Sequence, residues 1–519
     1  MAVKLETLDT TLRDGAQSAR ISFSCADKIR IIGLLDELGI DFVEIGASDT
    51  ADVDFFAQAK GLKLCHAKLT AFGSTCRAEE KAEESTGLQN LLDCNTEWCT
   101  VFGKAWDLHV TDVLRTTFEE NLRMISESIR FLVQNGKKVI FDAEHFYDGY
   151  KSNPSYAVEV IQTAERAGAS VCVLCDTNGG CFPDEVFDIT KEATENVGIK
   201  VGIHAHNDGG MAVSNSVFAV SGGARHVQGT LNGIGERCGN ANLATVMANL
   251  QLKRGFEIIP ADKMKNLTHT ARAVAETANI TTRNLPYISR QAFLHKAGTH
   301  IDGVLKNHES FEHISPGAVG NERNFLVSGM AGRSALVEKI NQFKPSLDKD
   351  SPEIQGILEE VKELESQGFQ YDAADASLEL VIKKALGIFK KHFDINLCRL
   401  IDEHDSEKNQ AYSSVLFKVL VKGREETTAA DSDGPVHAMD IALRSALHKF
   451  YPSLRSMRLS DYKVRVLNNE QATGSKIRVL IETTDGGQTW TTIGVSVNII
   501  EASLAALVDS IEYKLNKGE

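Results

Sequence analysis

His204 and His206, two residues apart in KVGIHAHND, are the sharpest chemical feature of the 519-residue chain. On a strand, residues at this spacing project from one face, so both imidazoles reach a single ion. Asp14, in DTTLRDGAQ, supplies a carboxylate at the end of another apolar segment. Two imidazole nitrogens and one carboxylate make a facial set with positions open for substrate or water. Asn240, in NGIGERCGNAN, offers a further carbonyl oxygen, and Asp208 is expected to orient a ligand histidine. Mixed nitrogen and oxygen donors suit Mn2+, Zn2+, Co2+ or Fe2+, with Mg2+ accommodated where waters complete the shell. Beside Asp14 stands Arg13, whose fixed fork of donors serves either as a clamp for an oxyanion or as an ion-pair partner of a carboxylate. The glycine-rich NGIGERCGN reads as a tight turn presenting Asn240 rather than as a phosphate loop. These residue types point to a metal-dependent enzyme acting on an oxygen-rich small molecule, one that chelates through carbonyl and carboxylate.

Such groups meet only if the elements carrying them converge. Strand patterns run over 3–9, 41–46, 63–72, 97–103, 137–144, 170–176, 200–206 and 226–231, with amphipathic helical patterns between them. In DKIRIIGLLDELG the stripe Ile29, Ile32, Leu35 has helical period, and several helical patterns end at Gly, the usual stop. Eight strand–helix units in roughly 250 residues match an α/β TIM (β/α)8 barrel better than a doubly wound sheet. In that barrel the reactive groups belong at the carboxyl ends of strands. Arg13 and Asp14 then follow strand 1, Glu144 ends strand 5, Thr177 follows strand 6, His204 and His206 end strand 7, and Asn240 follows strand 8. The expected layout is a catalytic barrel over 1–282, linker subdomains over 283–410 that cover the active site, and an α+β regulatory domain over 411–519. His300, in HKAGTHIDG, falls in the linker region, and the polar stretch 423–434 reads as a loop inside the last domain.

Lys and Arg total 56 against 71 Asp and Glu, a net charge of −15, which disfavours a nucleic-acid partner. No apolar run reaches the roughly 18 residues that cross a bilayer, and MAVKLETLDTTLRDG lacks the flanks of a signal peptide. A cytoplasmic protein without membrane contact is expected. The ten cysteines fall mostly in apolar segments and are expected to be buried free thiols. Cys172 and Cys175, three apart on a strand, would face opposite ways and hold no common ion.

LDTTLRDGAQ, HAHNDGGMAVSNS and NGIGERCGNANL resemble the signatures of the 2-isopropylmalate, homocitrate and citramalate synthases, acetyl-CoA-dependent Claisen-type enzymes on a TIM barrel. The tail from DGPVHAMDIALRSAL to ASLAALVDSIEY is similar to their regulatory domain, which binds the end-product amino acid. Ala16, with VFGKAWDLHVTDVL, FDAEHFYDGYKSNP, FLHKAGTHIDGVLKN and VGNERNFLVSGMAGRS, resembles the citramalate branch. The resemblance implies that Asp14, His204, His206 and Asn240 bind the divalent metal, which holds pyruvate through keto oxygen and carboxylate. It implies that Thr177 hydrogen-bonds that carboxylate and that Arg13 stabilises the oxyanion formed when the acetyl-CoA carbanion attacks. Glu144 and His300 would handle proton transfer, and thioester hydrolysis would release citramalate and CoA. A homodimer is implied, regulated by isoleucine, in a threonine-independent route to that amino acid. Family members often carry a Tyr in the loop after this histidine, where NHESFEHI places Phe311, which has no hydroxyl. The rival readings are a 2-isopropylmalate synthase of the leucine pathway, a hydroxyacyl-CoA lyase on the same metal barrel, and a catalytically silent amino-acid sensor.

Overall fold

The protein is described from a computed structural model that covers residues 3–47, 53–325, 333–345, 347, 351–405, 410–467, 475–486 and 488–517. Its chain divides into two units, Met1–Phe293 with Ile314–Arg323, and Leu294–His313 with Asn324–Glu519.

In the first unit all eight expected strand segments form. β1 (Glu6–Asp9), β2 (Phe42–Ala47), β3 (Lys68–Ser74), β4 (Trp98–Lys104), β5 (Lys138–Glu144), β6 (Val171–Asp176), β7 (Lys200–Ala205) and β8 (His226–Gly229) close into a parallel barrel, β8 pairing back to β1. The largest departure is at β3, which begins at Lys68 instead of 63. The cause is local: the N–H groups of Cys65, His66 and Ala67 donate to the Asp36 carboxylate at 2.7–2.9 Å, so the ladder starts only where Lys68 N–H reaches Asp41 O. The intervening helices carry the expected ends. Ser24 and Asp27 form a capping box on Cys25–Leu38, which stops at Gly39, and Pro154–Ala167 stops at Gly168; both glycines are left-handed.

Period-two alternation decides what lies inside the barrel. Leu8, Phe42, Trp98, Ile140, Val171, Val173 and Cys175 form one buried apolar cluster, with Phe42 and Trp98 edge-to-face at 4.8 Å. Two residues further along β2 and β5 from members of this plug come Glu44 and Asp142, and Gln228 on β8 is likewise buried. The interior is therefore apolar below and polar toward the carboxyl ends. A separate, larger apolar cluster, including Ile31, Leu35, Ile129 and Val160, joins the strands to the surrounding helices. Cys172 belongs to that outer cluster and Cys175 to the inner plug, so the pair does face opposite ways. All ten thiols are free, and six are buried.

The second unit opens on a short parallel pair, β9 (Leu294–His295) with β10 (Asn324–Phe325). The helices Arg333–Asn341, Pro352–Ser366 and Asp375–Ala385 occupy the expected helical patterns. Two antiparallel sheets follow: β11 (Asp394–Asp405), β12 (Gln410–Val421) and β13 (Arg424–Ser432), then β14 (Arg458–Val466), β15 (Ile477–Thr484) and β16 (Thr489–Ser496). Helices Pro435–Leu447 and Ile499–Lys517 pack on them. The polar stretch 423–434, read as a loop, is instead the strand β13, paired with β12 over nearly its whole length. Its less exposed positions are Glu426, Thr428, Ala430 and Ser432, Thr428 bonding the Ala442 carbonyl, so it lacks the apolar alternation that marks a strand. The first sheet also begins at Asp394, upstream of 411 where the sequence pattern changes. The segment VGNERNFLVSGMAGRS runs through residues 326–332, outside the described residues. Among the described residues no helix is long and apolar enough to cross a membrane.

Thiol reagent applied to the native protein is expected to modify Cys65 and Cys238 rapidly, the two exposed cysteines, and to reach Cys172 and Cys175 only in denaturant. Fast native labelling of either of the latter would contradict the barrel packing.

Candidate metal centre and active site

The H-x-H pair closes β7 as parity requires. His204 and His206 are both about 5% exposed, their ring centroids 5.2 Å apart. Their Nε2 atoms lie 3.7 and 3.8 Å from Asp14 Oδ2. Asp14 is 3% exposed and sits five residues past the end of β1, in the turn that leads into Gly15–Gln17. Asp14, His204 and His206 are the group of potential ligands found among the described residues, one donor atom of each within 4.8 Å of the others. Asn240 completes the cluster. It forms a bridge with His206 across the strand end, and its Nδ2 donates to Asp14 Oδ1 at 2.7 Å.

The donor set is in the state a cation needs. Burial pushes His204 down to about 3, with His206 beside it adding to the effect, and burial lowers His206 as well. Both imidazoles are thus neutral. The His204 Nδ1 lies 2.9 Å from Gln228 Oε1, which can only accept, so Nδ1 carries the proton and Nε2 keeps its lone pair toward Asp14. Gln228 is itself fixed by donating to Asp142 at 2.9 Å. Burial acts to raise Asp14, but the charge of Arg13, with the hydrogen bond from the Asn240 amide, outweighs it and holds the carboxyl below the usual range. Asn240 Oδ1 and His206 Nδ1 are buried without a hydrogen-bond partner. An orphaned carbonyl oxygen beside an ionised carboxylate and two neutral imidazoles is a set that one divalent cation satisfies.

Arg13 is held from three sides. Its Nε donates to Glu44 at 2.6 Å, NH1 donates to Asp14 at 2.9 Å, and the guanidinium carbon lies 3.9 Å from the centroid of the Phe72 ring. With only 10% of its side chain exposed, it carries a fixed positive charge beside the candidate ligands. Glu44 is fully buried, and burial raises its carboxyl despite the opposing pull of Arg13.

The remaining expected residues divide between the two units. Glu144 ends β5 and is ion-paired with Lys104 at the end of β4. Thr177 follows β6; its hydroxyl accepts the His145 N–H at 2.9 Å, and its carbonyl accepts from Arg237 at 2.6 Å. His300 lies in the second unit, in the helix Gly298–Lys306, with its ring stacked on Phe311 at 4.2 Å. The ring at 311 therefore packs on the imidazole while offering it no hydroxyl. Asp208 does not orient a histidine as expected. It forms a two-point pair with Arg237 at 2.8 and 2.9 Å, and the orienting group is Gln228, acting on His204.

Sequence reasoning passed over Glu44, Asp142, Gln228 and Lys104. Three of them had a signal: each is a buried polar residue within a largely apolar strand, in FVEIG, VIFDAE and HVQG. The glycine-rich turn does present Asn240, whose N–H bonds Gly233 O. It demands glycine at 235, since a Cβ there would lie 2.0 Å from Asn240 Nδ2 and 2.9 Å from Asp14 Oδ1.

Gly235→Ala should therefore displace Asn240 and weaken Mn2+ binding by about tenfold or more, while leaving the far-UV spectrum unchanged. Calorimetric titration of chelator-stripped protein checks this, and an unchanged affinity would remove Asn240 from the ligand set.

Three family descriptions match in order: HMGL-like over residues 4–274, Homocitrate synthase post-HMGL domain-like over 287–368, and LeuA allosteric (dimerisation) domain over 372–515. An (R)-citramalate synthase of Aquifex aeolicus is 50% identical, the match covering all of this chain and 99% of the relative. Those of Geobacter sulfurreducens and Synechocystis are 46% and 45% identical, with 98–99% of this chain and 97% of each relative covered. Barrel, site and full-length similarity agree: the chain belongs to the HMGL-like family and, within it, to the (R)-citramalate synthases.

Proposed function

We propose that this chain condenses acetyl-CoA with pyruvate and hydrolyses the resulting thioester, releasing (R)-citramalate and CoA. One observation carries the chemistry: Asp14, His204, His206 and the orphaned Asn240 carbonyl converge beside the clamped Arg13 guanidinium. The names of the full-length relatives support the choice of reaction.

A divalent cation held by Asp14, His204, His206 and Asn240 supplies Lewis acidity and an anchor for a 2-oxo acid. Gln228 keeps the His204 proton on Nδ1, so that the ligand nitrogen stays free to bind. Arg13 spends Nε on Glu44 and NH1 on Asp14, which leaves NH2 to the oxygen that becomes anionic as the ketone is attacked. Because the fork is already fixed by two carboxylates and Phe72, it need not reorganise as that charge develops. Thr177, whose hydroxyl already accepts the His145 N–H, has its own proton left to donate to the substrate carboxylate. Glu144 and His300 are the proposed proton-transfer groups, removing the acetyl methyl proton and assisting water in the hydrolysis. His300 does this without a neighbouring tyrosine, since Phe311 occupies the stacking position. The domain over 372–515 is proposed to form a homodimer and to bind isoleucine as inhibitor, in a cytoplasmic biosynthetic enzyme.

Thiol release from acetyl-CoA should be fastest with pyruvate among pyruvate, 2-oxobutanoate, 2-oxoisovalerate and 2-oxoglutarate, and should stop on chelation and return with Mn2+. A preference for 2-oxoisovalerate would instead assign 2-isopropylmalate synthesis, and silence with all four acids would favour a lyase or a sensor. Arg13→Lys should lower kcat by about 100-fold or more, since a point charge cannot hold the two carboxylates and meet the oxyanion together. Near-normal turnover would reduce Arg13 to a structural ion pair.

A further inference from the structure

One residue just past the end of β5 bonds the segment after β6 through its main chain, while its side chain has no part in the chemistry above. His145 follows Glu144 directly and adopts a left-handed backbone, φ 58° and ψ 34°. A residue with a Cβ resists that region, and it persists only where the surroundings over-determine it. Here the surroundings do so. The ring, 7% exposed, packs 5.4 Å from the centroid of Trp106 and 4.2 Å from that of His109. Trp106 and His109 stack on each other at 5.3 Å, and His109 opens a π-helical turn, His109–Leu114, a conformation that recurs at functional sites. His145 Nδ1 lies 3.1 Å from Asp148 Oδ2, and the same oxygen accepts from Asn178 at 2.9 Å.

His145 is thereby tied twice to the segment after β6. Its main-chain N–H donates to Thr177 Oγ1 at 2.9 Å, and its ring reaches Asn178, the next residue, through Asp148. The first tether fixes a polarity. A hydroxyl oxygen that accepts from an amide keeps its own hydrogen to give elsewhere. We infer that His145 is a positioning residue for the 2-oxo acid: its left-handed turn places the amide that commits the Thr177 hydroxyl to donate to the substrate carboxylate. The clamp of Trp106, His109 and Asp148 holds that turn, so the side chain acts on the substrate through the backbone and never touches it. This inference rests on the reading of Thr177 as the carboxylate's donor.

The test is a double-mutant cycle on the full-length Mn2+-loaded enzyme, reading KM for pyruvate, KM for acetyl-CoA and kcat separately. His145→Ala and Thr177→Val should each raise KM for pyruvate about tenfold, the scale of one lost hydrogen bond, and leave KM for acetyl-CoA within about twofold. The double variant should be no worse than the singles, because both remove the same interaction. His145→Asn should recover most of the loss, since Asn tolerates the left-handed region and its amide reaches Asp148. Mn2+ affinity should be unchanged throughout. Additive effects in the double variant, or an Asn variant no better than Ala at equal thermal stability, would overturn the role of His145 while leaving that of Thr177 standing. A Thr177→Val enzyme with wild-type KM for pyruvate would overturn the reading of Thr177 and the inference with it. Should His145→Ala not fold, His145→Gln, which keeps the bulk, takes its place in the cycle under the same criteria.

Discussion

A guanidinium removed from water among carboxylates is the constraint on which the mouth of this barrel depends. Arg13 faces Glu44 and Asp14 directly, and Asp142 lies near enough to act on it. Two unit charges about 4 Å apart interact by roughly 4 kcal/mol at the effective dielectric of a protein surface, and removing one partner of a buried pair costs about 3–5 kcal/mol. One positive charge cannot answer three carboxylates, and burial accordingly raises Glu44 and Asp142 while Asp14 alone is held low. Of the three, the carboxylate held most firmly in its ionised form is the one beside the two neutral imidazoles. A divalent cation at that point satisfies the Asp14 carboxylate, the two imidazole nitrogens and the orphaned Asn240 oxygen together, which is why the site reads as a metal centre rather than as a structural ion-pair cluster.

The barrel supplies the rigidity this arrangement needs. Strand parity carries Phe42 and Ile140 into the apolar plug and Glu44 and Asp142 above it, so the same ladder that closes the core also aims the polar layer. His204 shows how far the orientation extends. Gln228 on the adjacent strand sets its tautomer, and Asp142 on a third strand sets the amide of Gln228. Loops complete the site where strands cannot. Asn240 is delivered by a turn whose Gly235 leaves no room for a side chain, and Thr177 by a loop tied to His145, Asp148 and Arg237.

Much of this was legible in the residues because periodicity reports it directly. Eight apolar runs separated by helical stripes mark the barrel, and H-x-H marks its own face once it lies on a strand. What escaped notice is instructive in kind. Glu44, Asp142 and Gln228 are polar letters inside strands that otherwise read as apolar, where they look like interruptions; only the rule that buried polar groups must be paired gives them meaning. Asp208 was expected to serve a histidine because it is adjacent in sequence, yet its partner Arg237 comes from the glycine-rich turn, a contact no local pattern encodes. β13 escaped because strand signals rest on apolar alternation and its faces are polar or small. β11 was missed for a related reason: a register shift between Ile395 and Leu397 breaks its period of two, so that Ile395, Cys398 and Leu400 pack on the core out of a single phase.

The central claim is that His204 and His206 hold one cation through neutral imidazole nitrogens. Pulsed electron paramagnetic resonance of the protein loaded with one equivalent of Mn2+ addresses it directly, because nitrogen nuclei bound to the ion modulate the echo. The account predicts coupling from two imidazole nitrogens, falling to one in His204→Ala and in His206→Ala. A spectrum showing only oxygen and water around the ion, or one indifferent to both substitutions, would contradict it.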